Sequence, residues 1–107
     1  MARQSYTNRT GALDSTSATT VYTVPDEKMA IIVGGNIMNA STDTVTLDID
    51  IANASDTDFK LFSDYSFSQG VNTGIFPRPF FMDEKEKIKF TASAADKFEY
   101  WLSVAEV

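Results

Sequence analysis

The run "TVTLDIDIA" places two carboxylates, Asp48 and Asp50, at alternate positions. With Asp43 or Asp56 they would offer oxygen ligands to a hard cation such as calcium. The same pair could act as acid and base in glycoside hydrolysis. Neither chemistry is supported by the spacing. Alternate residues of a strand hold their carboxylates side by side, without the enclosing loop that a cation cage needs. "STDT" and "DTDF" are not the Asp-x-Asp-x-Asp-Gly loop. A glycosidase pair comes from different strands facing an aromatic-lined cleft, and nothing in the sequence identifies one. The expectation is a solvated sheet face, with no metal ligands and no catalytic residues.

Other chemistries lack their residue types. The chain has no cysteine and no histidine. Disulfides, thiolate nucleophiles, zinc–thiolate sites and iron–sulfur clusters are excluded. Ser–His–Asp and Cys–His catalysis cannot be assembled from this chain. Gly34 and Gly35 interrupt the apolar run "MAIIVGGNIMN". A phosphate-cradling loop would need more glycines, a lysine and a following helix, so the pair reads as a bulge or a close backbone approach. The expectation is a protein that is not an enzyme and takes no cofactor.

What remains is surface. "GIFPRPFFMDE" sets Ile75, Phe76, Phe80, Phe81 and Met82 around Pro77, Arg78 and Pro79. Three phenylalanines within six positions exceed what an exposed loop carries in a monomer. The prolines limit the ordering entropy lost on docking, and Arg78 could pair with a partner carboxylate. The other reading is that these rings fold back and plug one end of the domain. Trp101 falls on the outer parity of the last strand-like run. It reads as core, as an interface anchor, or, with Tyr22, Tyr65 or Tyr100, as a platform for sugar rings. Arg3, Tyr6 and Arg9 stand in a first stretch with no acid before Asp14. They read as a fluctuation in a loose terminus or as a weakly basic arm docking on an acidic partner. The candidate partner-interface residues are therefore Arg3, Tyr6, Arg9, Ile75, Phe76, Arg78, Phe80, Phe81 and Trp101.

The elements that must position them are strands. With 107 residues, 43% hydrophobic and 22% charged, the chain has the length of one domain and an ordinary globular composition. "TVYTV" is dense in β-branched and aromatic residues and is ended by Pro25. In "TVTLDIDIA", Val45, Leu47, Ile49 and Ile51 take one face and Thr46, Asp48 and Asp50 the other. "FKLFSDYSF" alternates less cleanly, with Phe59, Leu61, Ser63, Tyr65 and Phe67 on one parity. "IFPRPFF" holds two prolines and can at most be an edge strand or an extended connection. "IKFTA" turns Ile88 and Phe90 inward. "FEYWLSVAEV" places Phe98, Tyr100, Leu102 and Val104 on one face. No helical period is visible. Seven to eight short strands with regularly spaced turns predict an all-β fold, a single antiparallel β-sandwich of jelly-roll or Ig-like type. The expected organisation is an extended N-terminal arm over residues 1–19 and a sandwich over residues 20–107.

Residues 20–105 resemble small β-sandwich proteins of tailed-bacteriophage virions. "VYTVPDEKMAIIVGGNIMNASTDTVTLDIDI" is similar to their opening half and "MDEKEKIKFTASAADKFEYWLSV" to their ending. The family usually has a glycine in each of two turns where this chain has "PDEK" and "DEKEK", so those turns are expected to be of a different type. The resemblance implies a virion structural role: capsid decoration (cement), or a neck, tail or fibre-base component. A decoration protein would bind the major capsid protein between shell subunits as a homotrimer, on the capsid surface of a virion made in host cytoplasm. A carbohydrate-binding module using Trp101 is the alternative of another class. The net charge of −6 argues against a nucleic-acid partner. No apolar run reaches the length of a membrane span, and "MARQSYTNRT" lacks the apolar region of a secretory signal.

Overall fold

The alternating runs pair into two antiparallel sheets in the computed structural model, which describes residues 5–68, 70, 72–76 and 78–107. The strands are β1 (Ser5–Leu13), β2 (Thr19–Thr23), β3 (Ala30–Asn39), β4 (Val45–Ala52), β5 (Asp58–Phe67), β6 (Asn72–Gly74), β7 (Phe80–Met82), β8 (Lys87–Ala92) and β9 (Phe98–Glu106). One sheet runs β1-β9-β3, with β6 and β7 both on the far edge of β3. The other runs β2-β8-β4-β5. β6 pairs with Asn36–Met38 and β7 with Ala30–Ile32, so the two act as one edge strand interrupted between Gly74 and Phe80. Pro79 has no N–H to donate to a ladder, and the pairing resumes at the next residue, Phe80. Counting that broken strand once, eight strand positions divide four and four between the sheets, with β4 and β5 the one consecutive pair in the same sheet, in the two-Greek-key order of a jelly roll. The first and last strands lie side by side, which separates this arrangement from the Ig-like one.

The inner faces supply the core. Val45, Leu47 and Ile49 of β4 are buried, as are Ile88 and Phe90 of β8 and Phe98, Leu102 and Val104 of β9. Edge-to-face ring pairs cross between the sheets: Phe67 on Phe98 with centroids 5.2 Å apart, and Phe90 on Tyr100 at 5.5 Å. A polar contact also crosses. The Tyr22 hydroxyl of β2 donates to Glu106 Oε2 of β9 at 2.5 Å, and the Arg9 guanidinium of β1 lies 5.5 Å from the Tyr22 ring centre. Burial first, and then the Glu106 carboxylate, hold the Tyr22 hydroxyl above its ordinary pKa.

Two turns are organised by asparagine. Asn39 is fully buried; its Nδ2 donates to the carbonyls of Asp43, Phe67 and Ser68, and its Oδ1 accepts from the Ser41 amide and hydroxyl. It ties the β3–β4 turn to the end of β5. Asn53 Oδ1 accepts the amides of Ser55 and Thr57 in the β4–β5 turn. The Gly34–Gly35 interruption is a bulge: the β3–β9 register shifts between Ile32 and Gly34, leaving Val33 as the additional residue. Gly35 also permits a close approach, since a Cβ there would lie 2.7 Å from Leu102 Cδ2 and 3.0 Å from Phe76 Cδ2.

Three expectations are corrected. The stretch read as an arm is, over Ser5–Leu13, an edge strand paired with β9 along its whole length. Its inward positions carry Thr7, Arg9 and Gly11 before reaching buried Leu13, so no apolar alternation announces it. Within β5 the shared face is broken: Phe67 is buried, while Tyr65, Leu61 and Phe59 are 41%, 46% and 60% exposed. The register against β4 shifts twice here, and Asp64 takes φ 52° with its amide donating to Asp48 Oδ1 at 2.6 Å. Finally, the "PDEK" and "DEKEK" turns keep the left-handed backbone that a glycine would supply. Glu27 has φ 63° and Lys85 φ 67°.

Candidate functional site

The two outer faces of the sandwich differ sharply in charge. On the β2-β8-β4-β5 sheet, Asp48 and Asp50 point outward beside Lys60, whose Nζ lies 3.1 Å from Asp48 and 3.5 Å from Asp50. Lys89 reaches Asp58 at 3.0 Å and Asp56 at 3.3 Å, and Lys87 reaches Asp56 at 3.2 Å. The Asp64 amide, and then the Lys60 ammonium, hold the Asp48 carboxyl below the ordinary carboxylate range. The outward carboxylates read from "LDID" are therefore engaged by Lys60 and, at Asp48, by a backbone amide. Among the described residues, no cluster of three or more acidic, histidine or cysteine groups is placed to hold a metal ion.

The outer face of the other sheet is built differently. Register puts Tyr6 of β1 opposite Ala105 of β9, Ala105 opposite Ile31 of β3, and Ile31 opposite Phe81 of β7. These four residues form one row across the sheet. One row towards the chain's end, Met29 and Val107 exchange both backbone hydrogen bonds. On the other side come Val33 at the bulge and the row Asn8–Ser103–Gly34, then Trp101 between Thr10 and Asn36, then Glu99 opposite Met38. Tyr6 is 76% exposed, Phe81 72% and Trp101 54%, with Val33, Met29, Val107 and Met38 exposed between and beside them. Among the described outward positions of β1, β9, β3 and β7, Glu99 is the one charged residue. With strands about 4.8 Å apart and about 3.3 Å per residue, this part of the outer face, its polar positions included, covers roughly 400 Å². Asn8 and Ser103, 3.5 Å apart, separate the Tyr6–Phe81 row from Trp101, so the face is a set of large exposed apolar side chains among uncharged polar ones. Large apolar side chains gathered on a face with a single charge mark a candidate interaction surface.

The candidate interface residues thus divide. Tyr6, Phe81 and Trp101 converge on this face. Arg3 lies outside the described residues. Arg9 points inward over Tyr22, a device that blunts the open edge of β1 against pairing with another strand. Ile75 and Phe76, expected on a docking surface, are 3% and 7% exposed. They fold back, as the plug reading has it, because the Ile75 amide is held by the Gly35 carbonyl at 2.9 Å. Phe80 stacks edge-to-face on Phe76 at 5.2 Å, and Arg78 is exposed beside them. Together they line a cleft opening between the two sheets. Trp101 does not join an aromatic platform with the tyrosines named from the sequence: Tyr22 and Tyr100 point into the core, and Tyr65 belongs to the other sheet. Sequence reasoning missed Ile31, Val33, Met29 and Val107 as members of the face. Their membership follows from cross-strand register, which alternation within one strand does not reveal.

No family model matches the chain, and no curated protein matches it. Among solved structures it aligns with the infectious bursal disease virus VP2 subviral particle, at a TM-score of 0.47 and 15% identity. The alignment covers 97% of this chain and 32% of that one, so the chain spans about a third of the length of the protein it aligns with. The jelly-roll assignment rests on the strand order given above.

Proposed function

We propose that this chain is a non-enzymatic structural protein of a virion, and that it decorates a capsid by burying the outer face of the β1-β9-β3-β7 sheet against shell subunits. The observation that supports this is the contrast between that nearly uncharged face and the ion-paired face opposite. The phage resemblance of residues 20–105 supplies the virion setting. Burying Tyr6, Phe81 and Trp101 would contribute roughly 3–6 kcal/mol, at about 1.5–3 for each fully exposed side chain. Exposed lysine–carboxylate contacts contribute far less, so apolar burial decides attachment. The patch is about half of the roughly 800 Å² per partner in a standard interface. It therefore serves as the centre of a contact that more than one neighbour completes, as at a junction between capsid subunits with a homotrimer seated over it. A ligand that binds only the assembled shell stabilises it by mass action.

The test is co-sedimentation with capsids that lack the protein. Phe81→Ser and Trp101→Ser should lose occupancy while keeping the wild-type circular dichroism. Lys60→Glu, on the opposite face, should bind as wild type. The reverse pattern overturns the proposal. Copy number per particle separates decoration of the shell from a neck, tail or fibre-base position. A second reading has one observation in its favour. Asn36, Met38, Glu99 and Trp101 surround a hollow of about 170 Å³, where an indole face and two polar groups could hold a sugar ring. Glycan-array binding that Trp101→Ser abolishes would favour that carbohydrate-binding reading.

A further inference from the structure

The edges of the two sheets fail to close against each other on one side of the sandwich. In one sheet the edge strand is interrupted between β6 and β7. In the other, the edge strand β5 has lost simple register with β4. Between them lies a cleft of about 500 Å³ walled by Ile51, Leu61 and Phe62 on one side and Ile75, Phe76 and Phe80 on the other. Among the described residues, its lining carries one ionisable group, Arg78, which is exposed. Volumes of 300–1,000 Å³ with apolar walls and few polar groups are those of small-molecule sites.

We propose that this cleft binds a single-chain amphiphile with an anionic head: an alkyl tail between the β4–β5 wall and the Ile75–Phe80 wall, and a carboxylate on Arg78. The charge argument sets the head group. In a chain of net charge −6, the one formal charge among the described residues lining this cleft is positive. A guanidinium fork matches a carboxylate in a bidentate geometry, and the half-buried Ile51, Phe62 and Phe80 present apolar wall to a hydrocarbon tail. The walls come from both sheets, so an occupant would bridge them at the edge where the core is open. The site is separate from the outer face used in the proposed function and does not depend on it.

The test uses the purified full chain, with sodium dodecanoate and dodecan-1-ol as probes below their aggregation concentrations. Binding is followed by titration calorimetry and by amide chemical shifts. Dodecanoate should bind, with shifts centred on Ile51, Leu61, Phe62, Ile75, Phe76 and Phe80. Dodecan-1-ol should bind about fivefold more weakly, the scale of one exposed ion pair. Arg78→Ala should bring the acid down to the alcohol and leave the alcohol unchanged. Leu61→Trp, at a half-exposed edge position, should fill the mouth and weaken both at least tenfold. Absence of binding by both probes to the wild-type chain overturns the proposal, as do shifts that map elsewhere. Equal affinities for acid and alcohol, unmoved by Arg78→Ala, overturn the assignment of the anionic head. Should neither probe bind while Leu61→Trp detaches the protein from capsids, the cleft is a socket for a partner side chain and the proposal fails.

Discussion

Replacing Tyr22 with phenylalanine tests the polar contact that fastens the last strand to the opposite sheet. Tyr22 is 3% exposed and Glu106 8%, and the hydroxyl donates to Oε2 across 84 residues of sequence. The substitution keeps the ring and its place in the core but leaves a buried carboxylate oxygen without that donor. A hydrogen bond to a charged group contributes about 1.5–3 kcal/mol, and orphaning its partner adds a desolvation cost. The expected loss is therefore about 2–3 kcal/mol. At about 4–8 °C per kcal/mol for a domain near this size, Tm should fall by roughly 10–20 °C. Urea unfolding followed by far-ultraviolet circular dichroism is the assay, since Trp101 is 54% exposed and a poor reporter of the core. The midpoint should drop with an unchanged m-value. The same residue has an alkaline signature. Because its pKa is raised above 10.0 in the fold, the unfolded chain releases this proton first as pH climbs past 10. Stability should be intact at neutral pH and fall above pH 10, by up to about 1.4 kcal/mol per pH unit for each such proton. Tyr100, raised by burial, contributes a second. Tyr22→Phe should lose its own share of that slope and keep the Tyr100 share. A loss below about 0.5 kcal/mol at pH 7, well short of a hydrogen bond to a charge, together with an unaltered alkaline slope would refute the reasoning.

Two further substitutions probe the backbone. Gly35→Ala should destabilise by about 1–3 kcal/mol, because its Cβ would meet Leu102 Cδ2 at 2.7 Å inside a packed core; a wild-type urea midpoint would contradict this. Lys85→Gly should raise the urea midpoint by the equivalent of about 0.5–1 kcal/mol. A left-handed conformation costs an L-residue roughly 1–2 kcal/mol, and glycine's extra chain entropy takes back about 0.5–1. A lower midpoint would mean that the lysine side chain contributes more than its backbone costs.

How far the sequence discloses this architecture depends on where each strand's information lies. β4 and β9 are legible because one face is buried and the other wet, so period two appears in the residue types. The β9 alternation sets Trp101 on the face opposite Phe98, Leu102 and Val104 but does not say which face is buried; its 54% exposure does. β1 is illegible for the complementary reason. It is an edge strand with a polar, partly exposed inner side, and its partner β9 lies at the other end of the chain. β5 misleads because Asp64 resets the parity, and a single left-handed aspartate leaves little trace in a polar stretch. The aromatic content of "IFPRPFF" marks it for notice, but composition cannot tell Phe76, which is buried, from Phe81, which is exposed. That distinction comes from β7 pairing with Ile31 and from the Gly35 carbonyl capturing Ile75. Tyr6, Phe81 and Trp101 can be named singly from the sequence. Their assembly into one patch requires the strand order.

The distribution of charge explains how such a patch is compatible with a dispersed protein. Net charge acts over about a Debye length, roughly 8 Å at physiological ionic strength, and keeps copies of a chain at −6 apart on approach. Apolar burial acts only at contact. Placing the ion pairs on the β2-β8-β4-β5 face makes that side costly to desolvate, so it discourages association there. Leaving Glu99 as the one charge among the described outward positions of the opposite face makes that side the cheaper one to cover. Edge-to-edge growth is checked separately: Arg9 turns inward on β1, and the register shifts and Asp64 distort β5. With one outer face and both edges discouraged, the Tyr6–Ile31–Phe81–Trp101 face is where burial against another folded body costs least. Its roughly 400 Å² is about half of what one partner contributes to a standard interface, so a stable contact centred on it needs further area from outside this face.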